Sequence, residues 1–114
     1  MMFKKILATL SENGKSGHAY RKVIVHAEKA MKEDSERAAG YLLLKILAER
    51  FVDTTGRLAT TAVQIENAYR DFASHVNTLN EVYAAGDQSA VSNALNKVSL
   101  ASIKAFDPTF PVIQ

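Results

Sequence analysis

Between Leu58 and Tyr83 the apolar residues Leu58, Ala62, Ile65, Tyr69, Phe72, Val76, Leu79 and Tyr83 recur at intervals of 4, 3, 4, 3, 4, 3 and 4. That alternation draws one stripe along a helix of about 25 residues, ~38 Å long at 1.5 Å rise per residue. Such a stripe has to be covered by other helices, which commits the chain to an all-α fold. Its flanks decide how it is covered. With Leu58, Ile65, Phe72 and Leu79 at d positions, the e and g positions are Ala59, Thr61, Glu66, Ala68, Ala73, His75, Asn80 and Val82. A two-stranded coiled coil carries Glu and Lys there to set pairing. Small and apolar residues widen the stripe instead, which suits a helix packed against several neighbours in a bundle.

The rest of the chain divides at its glycines, at 14, 17, 40, 56 and 86, and no proline precedes Pro108. Four of the five glycines fall between apolar-periodic segments, where left-handed helix ends are expected. A first short helix is expected from Phe3 to Glu12 and a second from His18 to about Lys32, with Tyr20, Ile24, Ala27 and Met31 on one face. Lys32 to Arg37 is an ambiguous joint. We expect a break there, with Asp34 or Ser35 capping a new helix; the alternative is one helix from 18 to about 54. The third helix spans Glu36 to about Val52, and its Ala38-Ala39-Gly40 patch invites close approach by a neighbouring backbone. A loop at Asp53-Thr54-Thr55-Gly56 leads to the striped helix, which Gly86 ends. Asp87 or Ser89 then caps a last helix to about Phe106, with Val91, Leu95, Val98 and Ala105 inward. The expected architecture is a single domain, residues 1–114. It is an up-and-down bundle of four main helices plus a short N-terminal one, followed by an extended tail over 106–114.

Composition bounds the chemistry. The chain of 114 residues has 47% hydrophobic and 23% charged residues, an ordinary globular mixture. It has no cysteine, which removes disulfides, thiolate metal sites and cysteine nucleophiles together. The start, Met1 to Leu10, has two lysines before an apolar run, but Thr9 breaks the run and no small-x-small cleavage pattern follows. It reads as an amphipathic helix of a cytoplasmic protein. Tyr41-Leu42-Leu43-Leu44 is cut off by Lys45, far short of the roughly 20 residues of a membrane span.

Motifs with catalytic meaning fail on spacing. Gly14-Lys15-Ser16 matches the end of a P-loop, but Thr9 stands where the first glycine belongs and no strand precedes it. Lys15, Val23 and Phe72 lie three residues before His18, His26 and His75, so no Glu-x-x-His pair exists for a di-iron centre. Asp71 and His75 are four apart, too few ligands for a zinc site. No enzyme activity, cofactor or metal is expected.

Charge is uneven. Residues 1–32 carry Lys4, Lys5, Lys15, Arg21, Lys22, Lys29 and Lys32 against two acids, a balance of +5, whereas residues 58–114 balance at −2. The function read from these features is a small non-catalytic protein-interaction or regulatory module, adaptor- or inhibitor-like, with a protein partner. A homodimer is expected because the apolar residues of Tyr41 to Leu47 cover more of the helix than one small bundle needs. Tyr41, Leu43, Leu44 and Leu47, with Phe110, Val112 and Ile113 on the tail, are the candidate partner surface.

Two alternatives rest on the basic first third. His26-Ala27-Glu28-Lys29-Ala30 resembles the phosphorylated segment of histidine phosphotransfer domains, which are four-helix bundles of about this length. There a histidine is followed by lysine at +3 and a small residue at +4. The resemblance implies His26 as phosphoacceptor with Lys29 offsetting its charge; Glu28 and Ala30 depart from the usual apolar residue and glycine. The other alternative is a binder of nucleic acid or another polyanion, contacted through Arg21, Lys22, Lys29 and Lys32.

Overall fold

The computed structural model describes residues 2–57 and 60–104, the side chains of 56, 57, 103 and 104 excepted. They form α1 (Phe3–Glu12), α2 (Gly17–Glu33), a 3-10 turn (Ser35–Arg37), α3 (Ala38–Arg57), α4 (Ala62–Ala85) and α5 (Gln88–Lys104), with no strand among the described residues. The fold is all-α, as the periodicity demands.

Aromatic contacts give the helix directions. Phe3, opening α1, stacks on Tyr41 early in α3 at 4.6 Å and on Tyr83 late in α4 at 5.6 Å. At the other end Tyr20, early in α2, stacks on Phe51 late in α3 at 3.9 Å and meets Phe72 edge-on at 5.5 Å. Helix α3 therefore runs antiparallel to α2 and to α4, and α1 antiparallel to α4. The sequential helices alternate up and down, joined by short connections. Helix α5 packs on α4 and α3. Burying one large apolar side chain contributes about 1.5–3 kcal/mol, so the two ring clusters are major sources of stability.

The break between α2 and α3 falls at Asp34, where the sequence placed it, but the carboxylate does not cap a helix. It accepts from Arg37 Nη1 at 2.7 Å and from the Tyr41 hydroxyl at 2.7 Å. The Tyr41 oxygen in turn accepts from the Met2 backbone N–H at 3.0 Å, tying the start of α1 to the joint. Burial alone would raise the Asp34 carboxyl, but the bonds from Tyr41 and Arg37 outweigh it and hold it below the ordinary 3.8. Burial, and then the bond donated to Asp34, pushes the Tyr41 hydroxyl up to about 12.

Four expectations are corrected. Helix α3 continues through Asp53–Gly56 to Arg57, because buried Phe51 anchors its last turns and the Thr55 hydroxyl donates to the Phe51 carbonyl at 2.9 Å inside the helix. The striped helix begins at Ala62, behind a capping box. Thr61 Oγ1 accepts from the Gln64 N–H at 3.1 Å and Gln64 Oε1 from the Thr61 N–H at 2.8 Å. Leu58 lies outside the described residues, Ala62 is exposed, and Phe72, Val76 and Leu79 carry the buried stripe. Gly17 and Gly56 lie within helices, not in loops; among the described residues the left-handed positions are Gly14 (φ 82°), Lys15 (φ 60°) and Gly86 (φ 74°). Finally, aromatic rings approach Gly40, not a backbone: a Cβ there would lie 3.0 Å from Tyr83 Cε2 and 3.1 Å from Phe3 Cζ. Gly86 ends α4 as expected, and Asp87 Oδ1 caps α5 by accepting from the Ser89 N–H at 2.9 Å and the Ala90 N–H at 3.3 Å. In α5, Val91 and Val98 are buried and Leu95 partly so, while Ala105 and Phe106 lie outside the described residues.

Candidate functional site

Helix α1 is amphipathic, with Phe3, Ile6 and Leu10 buried on its inner face and Thr9 buried beside them. Thr9, 5% exposed, is the buried polar residue among those described, so its hydroxyl needs partners. It has one proton to give. The Lys5 carbonyl, 2.9 Å away, can only accept, so Thr9 donates to it. Nδ1 of His26, 3.1 Å from the same oxygen, is then the donor to Thr9. Counting donors this way assigns the ring proton to Nδ1 and leaves Nε2 with its lone pair in the neutral ring.

Two hollows meet at this ring. A cavity of about 40 Å³ is lined by Met2, Lys5, Ile6, His26 and Lys29. A wider hollow of about 350 Å³ is lined by His18, Arg21, Lys22, Val25 and His26. No carboxylate lines either of them. Antiparallel packing of α1 and α2 makes the first, by placing Lys5 opposite Lys29. The second lies on the outer face of α2, where Val25 is 64% exposed between cations.

The predicted anion-contacting residues are thus partly assembled. Arg21 and Lys22 share the wider hollow and Lys29 the smaller cavity, while Lys32 is exposed further along α2 and lines neither. Lys22 Nζ donates to Asn13 Oδ1 at 3.0 Å, and Lys29 sits 3.8 Å from Glu33. Lys15 is drawn off to α4: its Nζ lies 3.2 Å from Glu66 Oε2 and 4.2 Å from the Tyr69 ring centroid. Thr9 is the site residue the sequence reading missed. There it only interrupted an apolar run, yet it falls on the inner face of α1, where a lone hydroxyl signals a hydrogen-bonded partner.

The leucine-rich partner surface is contradicted. Tyr41, Leu44 and Leu47 are buried, and Leu43 packs partly buried against the core. Helix α3 is covered by α2, α4 and α5 together, so what looked like surplus apolar circumference belongs to the bundle's own core. Leu42, 41% exposed, is the residue of that run left outside. The homodimer expectation loses Tyr41, Leu44 and Leu47, the buried part of the run it rested on, while Leu43 and Ile46 are partly exposed. Phe110, Val112 and Ile113 lie outside the described residues.

Elsewhere, burial lowers the pKa of His75 below 6.5, with Asp71 opposing the shift and Lys97 adding to it. Among the described residues no three His, Asp or Glu side chains group as metal ligands, and no helix is long and apolar enough to cross a membrane. The arrangement defines a helical bundle with a cationic, histidine-centred edge. No protein-family model, curated protein or solved structure matches the chain.

Proposed function

We propose that this bundle is a non-catalytic binding module that docks an acidic surface of a partner protein on the outer face of α2. The observation that carries the reading is the hollow of about 350 Å³ in which exposed Val25 sits among His18, Arg21 and Lys22. An apolar centre rimmed by charge of one sign is how protein interfaces gain contact area while steering a partner of opposite charge. Val25 and exposed Glu28 interrupt the cationic stripe of α2, which favours a protein surface over a continuous phosphate backbone. Capture from the native host with the wild-type chain, Arg21→Glu/Lys22→Glu and Lys97→Glu on exposed α5 tests the proposal. The wild type and the α5 variant are expected to retain the same protein, and the double variant to lose it. Equal retention by all three, or recovery of nucleic acid in place of a protein, contradicts it.

A second reading, histidine phosphotransfer, is favoured by one observation: Thr9 occupies Nδ1 of His26, so Nε2 is the nucleophilic nitrogen, with Lys29 on the same cavity. The Nε2 lone pair would attack phosphorus of a phosphorylated carboxylate on a donor protein, and the P–O bond would break with its electrons returning to that carboxylate. Acid-labile phosphate on the wild type, absent in His26→Gln, is the expected mark; no labelling by any donor ends this reading.

A further inference from the structure

We infer that the cavity between α1 and α2, lined by Lys5, His26 and Lys29, binds a phosphate group. The inference does not depend on what docks over Val25. Lys5 and Lys29, from different helices, and His26 line a space of about 40 Å³ with no carboxylate in its lining. A single water needs roughly 10–15 Å³ by the same measure, so the space holds a small polyatomic ion and not a nucleotide. Met2 and Ile6 complete the wall, and their apolar surface strengthens charge-assisted hydrogen bonds made beside it.

His26 suits phosphate in either charge state. Its Nδ1 donates to Thr9 whether the ring is neutral or protonated, so the ring stays in place while Nε2 changes role. Neutral, Nε2 accepts from a protonated phosphate oxygen; protonated, it donates to an ionised one. Lys29 is available for such a ligand, since its pairing with Glu33 at 3.8 Å joins two well-exposed side chains and is worth little. The ligand's source is either free inorganic phosphate or a phosphorylated side chain of another protein. The chemistry of recognition is shared.

Amide correlation spectra of the full chain test the site, titrated at constant ionic strength with inorganic phosphate and separately with O-phosphoserine. Saturable shifts are expected at Lys5, Ile6, His26 and Lys29. Lys5→Ala and Lys29→Ala should each weaken binding about tenfold or more, the usual effect of losing one charge-assisted bond. Lys4→Ala and Lys32→Ala, exposed on the same two helices, should bind as the wild type does. Tighter binding of phosphoserine assigns the site to phosphorylated side chains, and tighter binding of inorganic phosphate to the free ion. Shifts that fail to saturate, or that survive both Lys5→Ala and Lys29→Ala, overturn the inference.

Discussion

The hydroxyl of Thr9 holds the ring of His26, with Oγ1 3.1 Å from Nδ1, and this single bond joins the inner face of α1 to the edge of α2. Thr9→Val keeps the shape and removes the hydroxyl. The His26 Nδ1–H then turns to water, since the residue is partly exposed. Stability should fall by only about 1 kcal/mol, the usual net worth of one hydrogen bond. Phosphate affinity should fall severalfold, because the ring is no longer held at the cavity. Denaturant unfolding and the phosphate titration read the two effects separately.

Two buried tyrosines should respond in opposite directions to loss of the hydroxyl. The Tyr20 hydroxyl is buried with no hydrogen-bond partner among the described residues, and burial raises its pKa. Tyr20→Phe removes an unsatisfied polar group and should stabilise the fold by up to about 1 kcal/mol. Tyr41→Phe strips Asp34 of a donor and the Met2 N–H of its acceptor, and should cost about 1–3 kcal/mol. Equal effects of the two substitutions in urea unfolding would contradict the hydrogen-bond assignment.

Gly40→Ala sets helix propensity against packing. Gly40 lies in the first turn of α3, where alanine gains at most the about 1 kcal/mol over glycine of a helix interior. Here the added methyl meets Tyr83 Cε2 at 3.0 Å and Phe3 at 3.1 and 3.3 Å. Phe3 is fully buried and stacked between Tyr41 and Tyr83, so it has little room to yield. Net destabilisation of about 1 kcal/mol is expected, measured as a lower midpoint of unfolding; a stabilised variant would show the ring cluster to be loose.

Acid should weaken the protein in two separate windows. His75 has a folded pKa below its ordinary 6.5, so between the two values the unfolded chain binds the extra proton. Stability is therefore full above about pH 6.5 and declines below it, and His75→Gln should flatten that decline. The Asp34 carboxyl is likewise held below its ordinary 3.8, so its contribution persists until lower pH and is lost as the pH falls through the folded value. Unfolding midpoints at pH 7.5, 5.5 and 3 separate the two groups.

Much of the fold was legible because helix period, glycine ends and acidic joints are local signals. The break at Asp34, the left-handed Gly86 and the Asp87 cap needed only the chain within a turn of each. The head of α4 was legible too, since Thr61 and Gln64 stand at capping-box spacing, but the apolar stripe drew the helix back to Leu58. The end of α3 was not legible: Asp53-Thr54-Thr55-Gly56 has loop composition, while the Tyr20 ring packed on Phe51 and the Thr55 hydroxyl bonded back to the Phe51 carbonyl favour the helix. Burial of Tyr41, Leu44 and Leu47 was hidden for a similar reason. A single helix shows how wide its apolar face is, but not how many neighbours cover it. The basic edge could be read as charge, while the cavity between Lys5 and Lys29 exists only once α1 and α2 are packed.

Phosphate recognition between α1 and α2 turns on His26 being held through Nδ1 with Nε2 left to act. Long-range nitrogen–proton correlation spectra of the imidazole rings at pH 8 measure this directly. One His26 tautomer is expected, protonated at Nδ1, that becomes a mixture in Thr9→Val. A ring protonated at Nε2 in the wild type, or one indifferent to Thr9→Val, would contradict it.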